Sequence, residues 1–400
     1  MSSSSLKIIL LGVLGSGTAS AAQVYIQPIA SIGAEENSNL DLAPGPNPWV
    51  AGYLANMSTL FGISTPNSST TIRPRLEYRD YPQDSANNRL EGDLELNSYY
   101  RSQRSRGSVY LGYEHRDEFN AELSHALYND IGPTSPTSPE TGRTQIGATR
   151  TNLIFLPDYS YNVTERLSAG VSAIYQQLKY SPQNIHSAID FRYYQAKAYV
   201  RWAVDQRTDL TVGGFGSTYE ATHFQSHASS GGGSLAVNTS WTPLFTTSGT
   251  LVFQHTNVNS QIPTLFRGSE TPWGLMVSAA YKAPLNQFRL DAGRMITPSG
   301  GGGIYVNEQL QFQYTRSFTP RLDFTGAAIA LRTHGLTSNV SGDDRTYSRT
   351  VLDLKYMMTR TFFVQGGYQF FWQKYELDPE SANNNRLYIR FGYQGFGPRY

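Results

Sequence analysis

Cysteine is absent from the 400 residues, which excludes a disulfide framework, a zinc–thiolate site and a thiol nucleophile together. Long apolar runs are missing as well: no stretch approaches the roughly 20 consecutive apolar residues that a membrane-spanning helix needs. Mean hydropathy is −0.41 and the formal charge is +1, so bulk charge excludes a strongly basic nucleic-acid binder and any electrostatic selectivity must be local. Read by average hydropathy, such a chain belongs in water.

The order of the residues says otherwise. In the segment from Leu387 to Tyr393 the apolar side chains Leu387, Ile389, Phe391 and Tyr393 fall on every second position, with Tyr388 and Arg390 between them. That is the period of a strand with one apolar and one wet face. The grammar recurs through most of the chain, with short turns alternating with long polar stretches, and it predicts a transmembrane antiparallel β-barrel. Lipid-facing residues alternate with lumen-facing ones, so averaging over a window hides them. Aromatic residues form 13% of the chain, Tyr alone contributing 27 positions, enough for girdles at two membrane interfaces.

Residues 1–22 read as a secretory signal peptide: Lys7, an apolar run from Ile8 to Leu14, and small residues Ala19, Ser20 and Ala21 before the cleavage point. The remainder, 23–400, reads as one barrel of about 18 strands, with 16 as the fallback. Short connections are expected near Gln103–Arg106, Asn162–Arg166, Asp205–Thr208, Thr242–Thr246, Ala283–Asn286, Ser317–Pro320 and Met358–Thr361. The longer connections include Asp117–Thr144, Ser181–Ser187, Thr222–Gly232, Asn257–Glu270, Pro298–Gly303, His334–Asp344 and Glu376–Asn384. Short turns would face the periplasm and long loops the outside. The glycine runs Gly231–Gly233 and Gly300–Gly303 are then expected in outer loops.

Alternation also assigns faces. In one segment Ile72, Leu76 and Tyr78 point to lipid while Arg73, Arg75, Glu77 and Arg79 point inward. In the next, Leu90, Leu94 and Leu96 point out while Glu91, Asp93 and Glu95 point in. A basic row beside an acidic row predicts cross-strand ion pairs. Arg192, Lys197, Arg201, Arg386 and Arg390 complete the expected lumen-lining path, with a phase change near Tyr193 and Tyr194 read as a bulge. Arg and Lys exceed Asp and Glu modestly on this face, which suits a pore attracting anions or a wall held by salt bridges.

No catalytic or metal constellation stands out. The seven histidines, His115, His125, His186, His223, His227, His255 and His334, fall in expected outer loops or strand tops, and His223 and His227 lack the helical pattern that would make their spacing a metal site. An enzyme is not expected, nor a cofactor.

The opening PIASIGAEENSNL, the internal RPRLEYRDY and the terminal RLYIRFGYQ resemble the β-barrel porin 2 class of Gram-negative outer-membrane barrels, often associated with exopolysaccharide or capsule systems. The resemblance implies an outer-membrane conduit associated with export of an extracellular polysaccharide. It also implies outer-membrane lipid, lipopolysaccharide, the barrel assembly machinery, polysaccharide and export proteins as partners. A general diffusion porin for small solutes, or a closed structural or adhesin barrel, fits the same residues.

Overall fold

Strands dominate because neither face of this alternating pattern can be satisfied by a helix, and β-branched and aromatic residues fill the outward positions. In a computed structural model of the chain, the described residues are 22–117, 149–181, 189–221, 226–259, 267–299, 304–336, 344–376 and 378–396. The signal-peptide reading therefore falls, but for Ala22, outside the described residues, as do Gly300–Gly303, His125, His186 and His223.

The first strands are β1 (Gln23–Asn37), β2 (Val50–Ser64), β3 (Ser68–Asp80), β4 (Arg89–Arg101), β5 (Ser105–Asp117) and β6 (Thr149–Asn162). β7 (Leu167–Ser181), β8 (Phe191–Ala203), β9 (Thr208–Ala221), β10 (Ser226–Ser240), β11 (Phe245–Asn259) and β12 (Gly268–Glu270) follow. The rest are β13 (Trp273–Lys282), β14 (Asn286–Pro298), β15 (Ile304–Thr319), β16 (Leu322–Gly335), β17 (Arg345–Met357), β18 (Phe362–Tyr375) and β19 (Ala382–Gln394). Apart from β12 and β13, consecutive strands pair antiparallel, and β1 pairs with β19 from Ile29↔Gln394 to Asn37↔Arg386, closing the sheet on itself.

β12 and β13 both pair with β11 and are separated only by Thr271 and Pro272. They are two halves of one stave, broken where proline offers no ladder N–H. The barrel therefore has 18 staves, in agreement with the expected count. An even count brings the start of β1 and the end of β19 to the same end as the short turns. Closure leaves no unpaired sheet edge, the condition for backbone to cross a hydrocarbon layer as strands.

The two faces separate cleanly. On β3, Leu76 is 54% exposed and its neighbour Glu77 only 7%. Leu90, Ile389, Phe391, Leu310 and Phe312 are exposed outward in the same way. Outward aromatics gather at two heights: Tyr100, Tyr159, Trp202, Trp241, Phe318, Tyr356 and Tyr393 near the short turns, Tyr53, Tyr78, Tyr113 and Trp273 near the long loops. Water would not tolerate such a surface over a whole barrel, whereas a bilayer with interfacial belts does.

Seven of the eight short turns share one device. The side chains of Thr65, Ser102, Thr164, Asp205, Thr242, Thr319 and Thr359 accept backbone N–H groups two or three residues on, and only Ala283 opens its turn without one. These are the Asx- and ST-turns that pin a tight connection.

Two expectations are corrected. Gly231, Gly232 and Gly233 do not form an outer loop: they lie in mid-β10, paired with Phe215 and its glycine neighbours Gly214 and Gly216 on one side and with Phe253, Gln254 and His255 on the other. There is no bulge near Tyr193 and Tyr194, since β8 keeps unbroken register with both β7 and β9.

Candidate functional site

The lumen is the chemical site, and its charges are unevenly placed. On β3 and β4 the register sets Arg73 opposite Glu95, Arg75 opposite Asp93 and Glu77 opposite Glu91. Arg75 Nε donates to Asp93 Oδ1 at 2.8 Å. Arg116 on β5 donates to the same carboxylate and lies 3.0 Å from Glu114, which in turn lies 3.7 Å from Arg150 on β6. Glu77 and Glu91 would repel each other. Arg79 offsets this by pairing with Glu77 and reaching to 3.9 Å from Glu91, while Asn56 Nδ2 donates to Glu77 Oε2 at 2.9 Å.

The same network seals the closing seam. Arg386 on β19 donates through Nε to Glu35 Oε2 on β1 at 2.8 Å, and the Tyr81 hydroxyl donates to the other oxygen of Glu35. Tyr81, at the start of the connection from β3 to β4, is buried against Leu40 and Val50. Burial and the neighbouring Glu35 carboxylate raise the pKa of its hydroxyl, so it stays a donor, while Arg79 acts in the opposite direction.

A second wall, β17 to β19, is basic. Its inward side chains include Arg345, Arg349, Lys355, Arg386 and Arg390, against the carboxylate of Asp353. Aromatic rings interleave: Arg345 lies 4.7 Å from the Tyr347 ring, Arg349 5.1 Å from Phe371, Lys355 4.4 Å from Phe363 and Arg390 4.8 Å from Tyr388. Asp353 is held by the Tyr388 hydroxyl and by Gln365 Nε2 at 3.2 Å. Arg386 is neutralised by Glu35, Arg349 donates to Gln369 Oε1 at 3.3 Å and Lys355 to Gln394 Oε1 at 2.6 Å, and Asp353 is the inward carboxylate of these three strands among the described residues. Arg390 and Arg73 make no ion pair among the described residues.

Opposite stands a wall with few charges and many small groups, with Gly213 and Ser217 on β9, Ser230, Gly232 and Ser234 on β10, and Ser248 and Thr250 on β11 facing inward, and with Phe215 and, near the short turn, Asp209 on the same face of β9. Lys197 and Arg201 on β8 face this side of the lumen, and Tyr199 between them donates to Asp158 at 3.0 Å. Arg192 does not join them. Unbroken alternation places it on the outer wall with Tyr194, Ala196 and Val200, opposite Glu220. The expected inward position is thus corrected for this residue, because the phase change invoked for it does not exist.

The long-loop end is narrowed by apolar packing. Leu178, Phe191 and Tyr219 from the adjacent staves β7 to β9 form one buried cluster with Val258 of β11 and Ile304 of β15, and the Tyr219 hydroxyl donates to the Ser299 carbonyl at 3.1 Å. From the other side the connection 38–49 folds inward as a strap. Its Leu42 is 2% exposed and sits among Leu331, Tyr347, Phe371 and Ala382. Gln373 Nε2 donates to the Leu42 carbonyl at 3.1 Å, and Asn39 Nδ2 donates to the Ala43 and Asn383 carbonyls. Leu42 has φ +46°, the only positive φ outside glycine among the described residues, a conformation that costs of order 1–3 kcal/mol and persists only when packing overrides it.

Sequence reading missed Glu35, Glu114, Arg116, Arg150 and Arg345 as inward groups. A signal existed for Arg345, which shares the parity of Arg349, Asp353 and Lys355. For Glu35 it was the parity of Ser31 and Gly33.

No protein-family model matches the chain, and no curated protein matches it by sequence. Among solved structures it is similar in shape to Pseudomonas aeruginosa OccK2 (OpdF) in complex with glucuronate, at 10% identity and a TM-score of 0.45, covering 94% of this chain and 98% of that one. It is similar also to the outer membrane protein opdK of Pseudomonas aeruginosa, at 10% identity and 0.43, covering 94% and 100%. The anion-selective porin of Comamonas acidovorans matches at 12% identity and 0.39, covering 93% and 99%. At these values the likeness is one of general shape, and the chemistry of the channel has to be read from the lumen itself.

Proposed function

We propose that the chain is an outer-membrane channel of Gram-negative type, passive rather than enzymatic, for small polar solutes with a preference for anions. The observation that carries this is the excess of cations along β17 to β19, with aromatic faces between them. Guanidinium groups grip a carboxylate bidentately, and aromatic rings flank the apolar parts of the same solute. An 18-stave barrel is wide enough to hold an aqueous passage. The exposed apolar band supports a membrane position, and the charge ladder of β3 to β6 acts as wall stitching beside the conducting path.

Small solutes are favoured over a polymer by the long-loop end, where two apolar clusters and the strap take up cross-section that a sugar chain would need. Polysaccharide export, implied by the resemblance to the porin 2 class, is therefore the weaker reading. Liposome uptake tests the choice. Proteoliposomes should admit a small monocarboxylate faster than a neutral sugar of equal size and should exclude a long acidic oligosaccharide. Equal entry of the oligosaccharide would return the polymer reading.

A further inference from the structure

Asn384 lies on the inward face of β19 and is fully buried, yet neither the oxygen nor the nitrogen of its carboxamide has a hydrogen-bond partner among the described residues. Leaving a buried donor and acceptor unmet costs the desolvation of both, which is why buried amides are ordinarily paired. A leucine would fill a similar volume without that cost. The amide is therefore explained by a polar group that comes from outside the protein.

Register shows what shares its height. Arg349 on β17 stands opposite Phe371 on β18, and Phe371 stands opposite Asn384. The Arg349 guanidinium lies 5.1 Å from the Phe371 ring. Cation and amide thus flank the ring from staves about 10 Å apart. The strap covers this row: Leu42 packs on Phe371 and Ala382, and its carbonyl accepts from Gln373 Nε2 at 3.1 Å. An apolar group on the ring, with an oxygen held by an amide, is what a solute would present to the same wall. The strap presents it at the cost of a left-handed φ at Leu42. It also leaves Asn384 unmet, so a solute that satisfies Asn384 has the advantage over it.

We propose that Arg349, Phe371 and Asn384 form an entry subsite for a small carboxylate that bears a hydroxyl or amide a few carbons from the acid, and that Leu42 stands in for this solute until displaced by it. Arg349 takes the carboxylate, the Phe371 face takes the carbon chain, and Asn384 donates to and accepts from the distal polar group. A carboxylate lacking that group leaves the amide unmet, which is the physical basis for rejecting it. The proposal rests on the anion-channel reading and narrows its substrate class.

The test adds 4-hydroxybutyrate or butyrate to single channels carrying chloride current and reads the concentration that interrupts half of it, with the reversal potential taken on the same channels. Wild type should respond to 4-hydroxybutyrate at about tenfold lower concentration than to butyrate. Asn384→Leu should bring the two solutes to the same concentration, with the reversal potential unchanged and the urea midpoint at or above that of wild type. Leu42→Ala should shift both solutes to lower concentration, because their competitor is gone. Equal response of wild type to the two solutes, or an advantage of the hydroxyl that survives Asn384→Leu, overturns the subsite. A lowered midpoint in Asn384→Leu would assign the amide to the fold and overturn it equally, and an unshifted response in Leu42→Ala overturns the stand-in role. A wild-type channel without anion preference that still separates the two solutes would contradict the anion-channel reading and leave the subsite standing.

Discussion

At the scale of single residues the charges of this lumen divide into those that hold the wall and those that face passing solutes. Glu35 and Arg386 belong to the first group: the pair is buried, spans the closing seam between β1 and β19, and is completed by Tyr81. Removing one partner of such a pair leaves an uncompensated buried charge and costs roughly 3–5 kcal/mol. Glu35→Gln should therefore lower the urea midpoint of the folded barrel markedly, and a midpoint within error of wild type would show that the seam does not depend on it. The same pairing makes Arg386 a poor probe of ion selectivity, although its inward position was legible from the sequence. Arg390, two steps along the same face beyond Tyr388 and without an ion pair among the described residues, is the better one. Parity found both arginines because β19 alternates without interruption. It failed for Arg192, because Tyr193 and Tyr194 are consecutive and a tyrosine suits either face, so the phase could be read both ways.

At the scale of elements, the sequence showed the strands and short turns more readily than the device that pins the turns. Thr65, Ser102, Thr164, Asp205, Thr242, Thr319 and Thr359 recur at the mouths of turns, but Ser and Thr are common everywhere and the recurrence stands out only once the N–H partners are known. Asp205 is the one whose contribution titrates. The backbone N–H groups of Arg207 and Thr208 bond its carboxylate and lower its pKa. A lowered folded-state pKa gives stability that is present above the ordinary carboxylate range and lost as pH falls through the lowered value. Asp205→Ala should therefore be less stable than wild type at pH 7, and the gap should close in acid. A gap unchanged by pH would contradict the capping role. The glycines of β10 resemble a loop in sequence because three in succession carry no side-chain pattern, yet neighbours on both sides hold them in register.

The strap 38–49 was the part of the chain least legible in advance, since its prolines broke the alternation and nothing local says where Leu42 goes. Its position is decided by residues some 290 to 340 positions away, in β16 to β19. Leu42→Ala removes the knob that holds the strap in the mouth. Single-channel conductance should rise, with more frequent switching between levels, while the barrel remains folded. Conductance identical to wild type would show that the strap does not border the conducting path.

At the scale of the whole molecule, an almost neutral chain has separated its charges by face and by sector. Acids and bases cancel along β3 to β6, the β9 to β11 wall carries little charge beyond Asp209, and a column rich in Arg and Lys runs along β17 to β19. Composition could not show this, because the formal charge of +1 averages over all of it. Selectivity should follow the column rather than the sum. The direct measurement is the reversal potential of single channels in a planar bilayer under a salt gradient, for wild type and for Arg349→Gln/Arg390→Gln. Wild type should be anion-selective, and the double variant should move toward neutrality or cation preference at unchanged fold. Cation selectivity in wild type, or a reversal potential unmoved by the double substitution, would contradict the account.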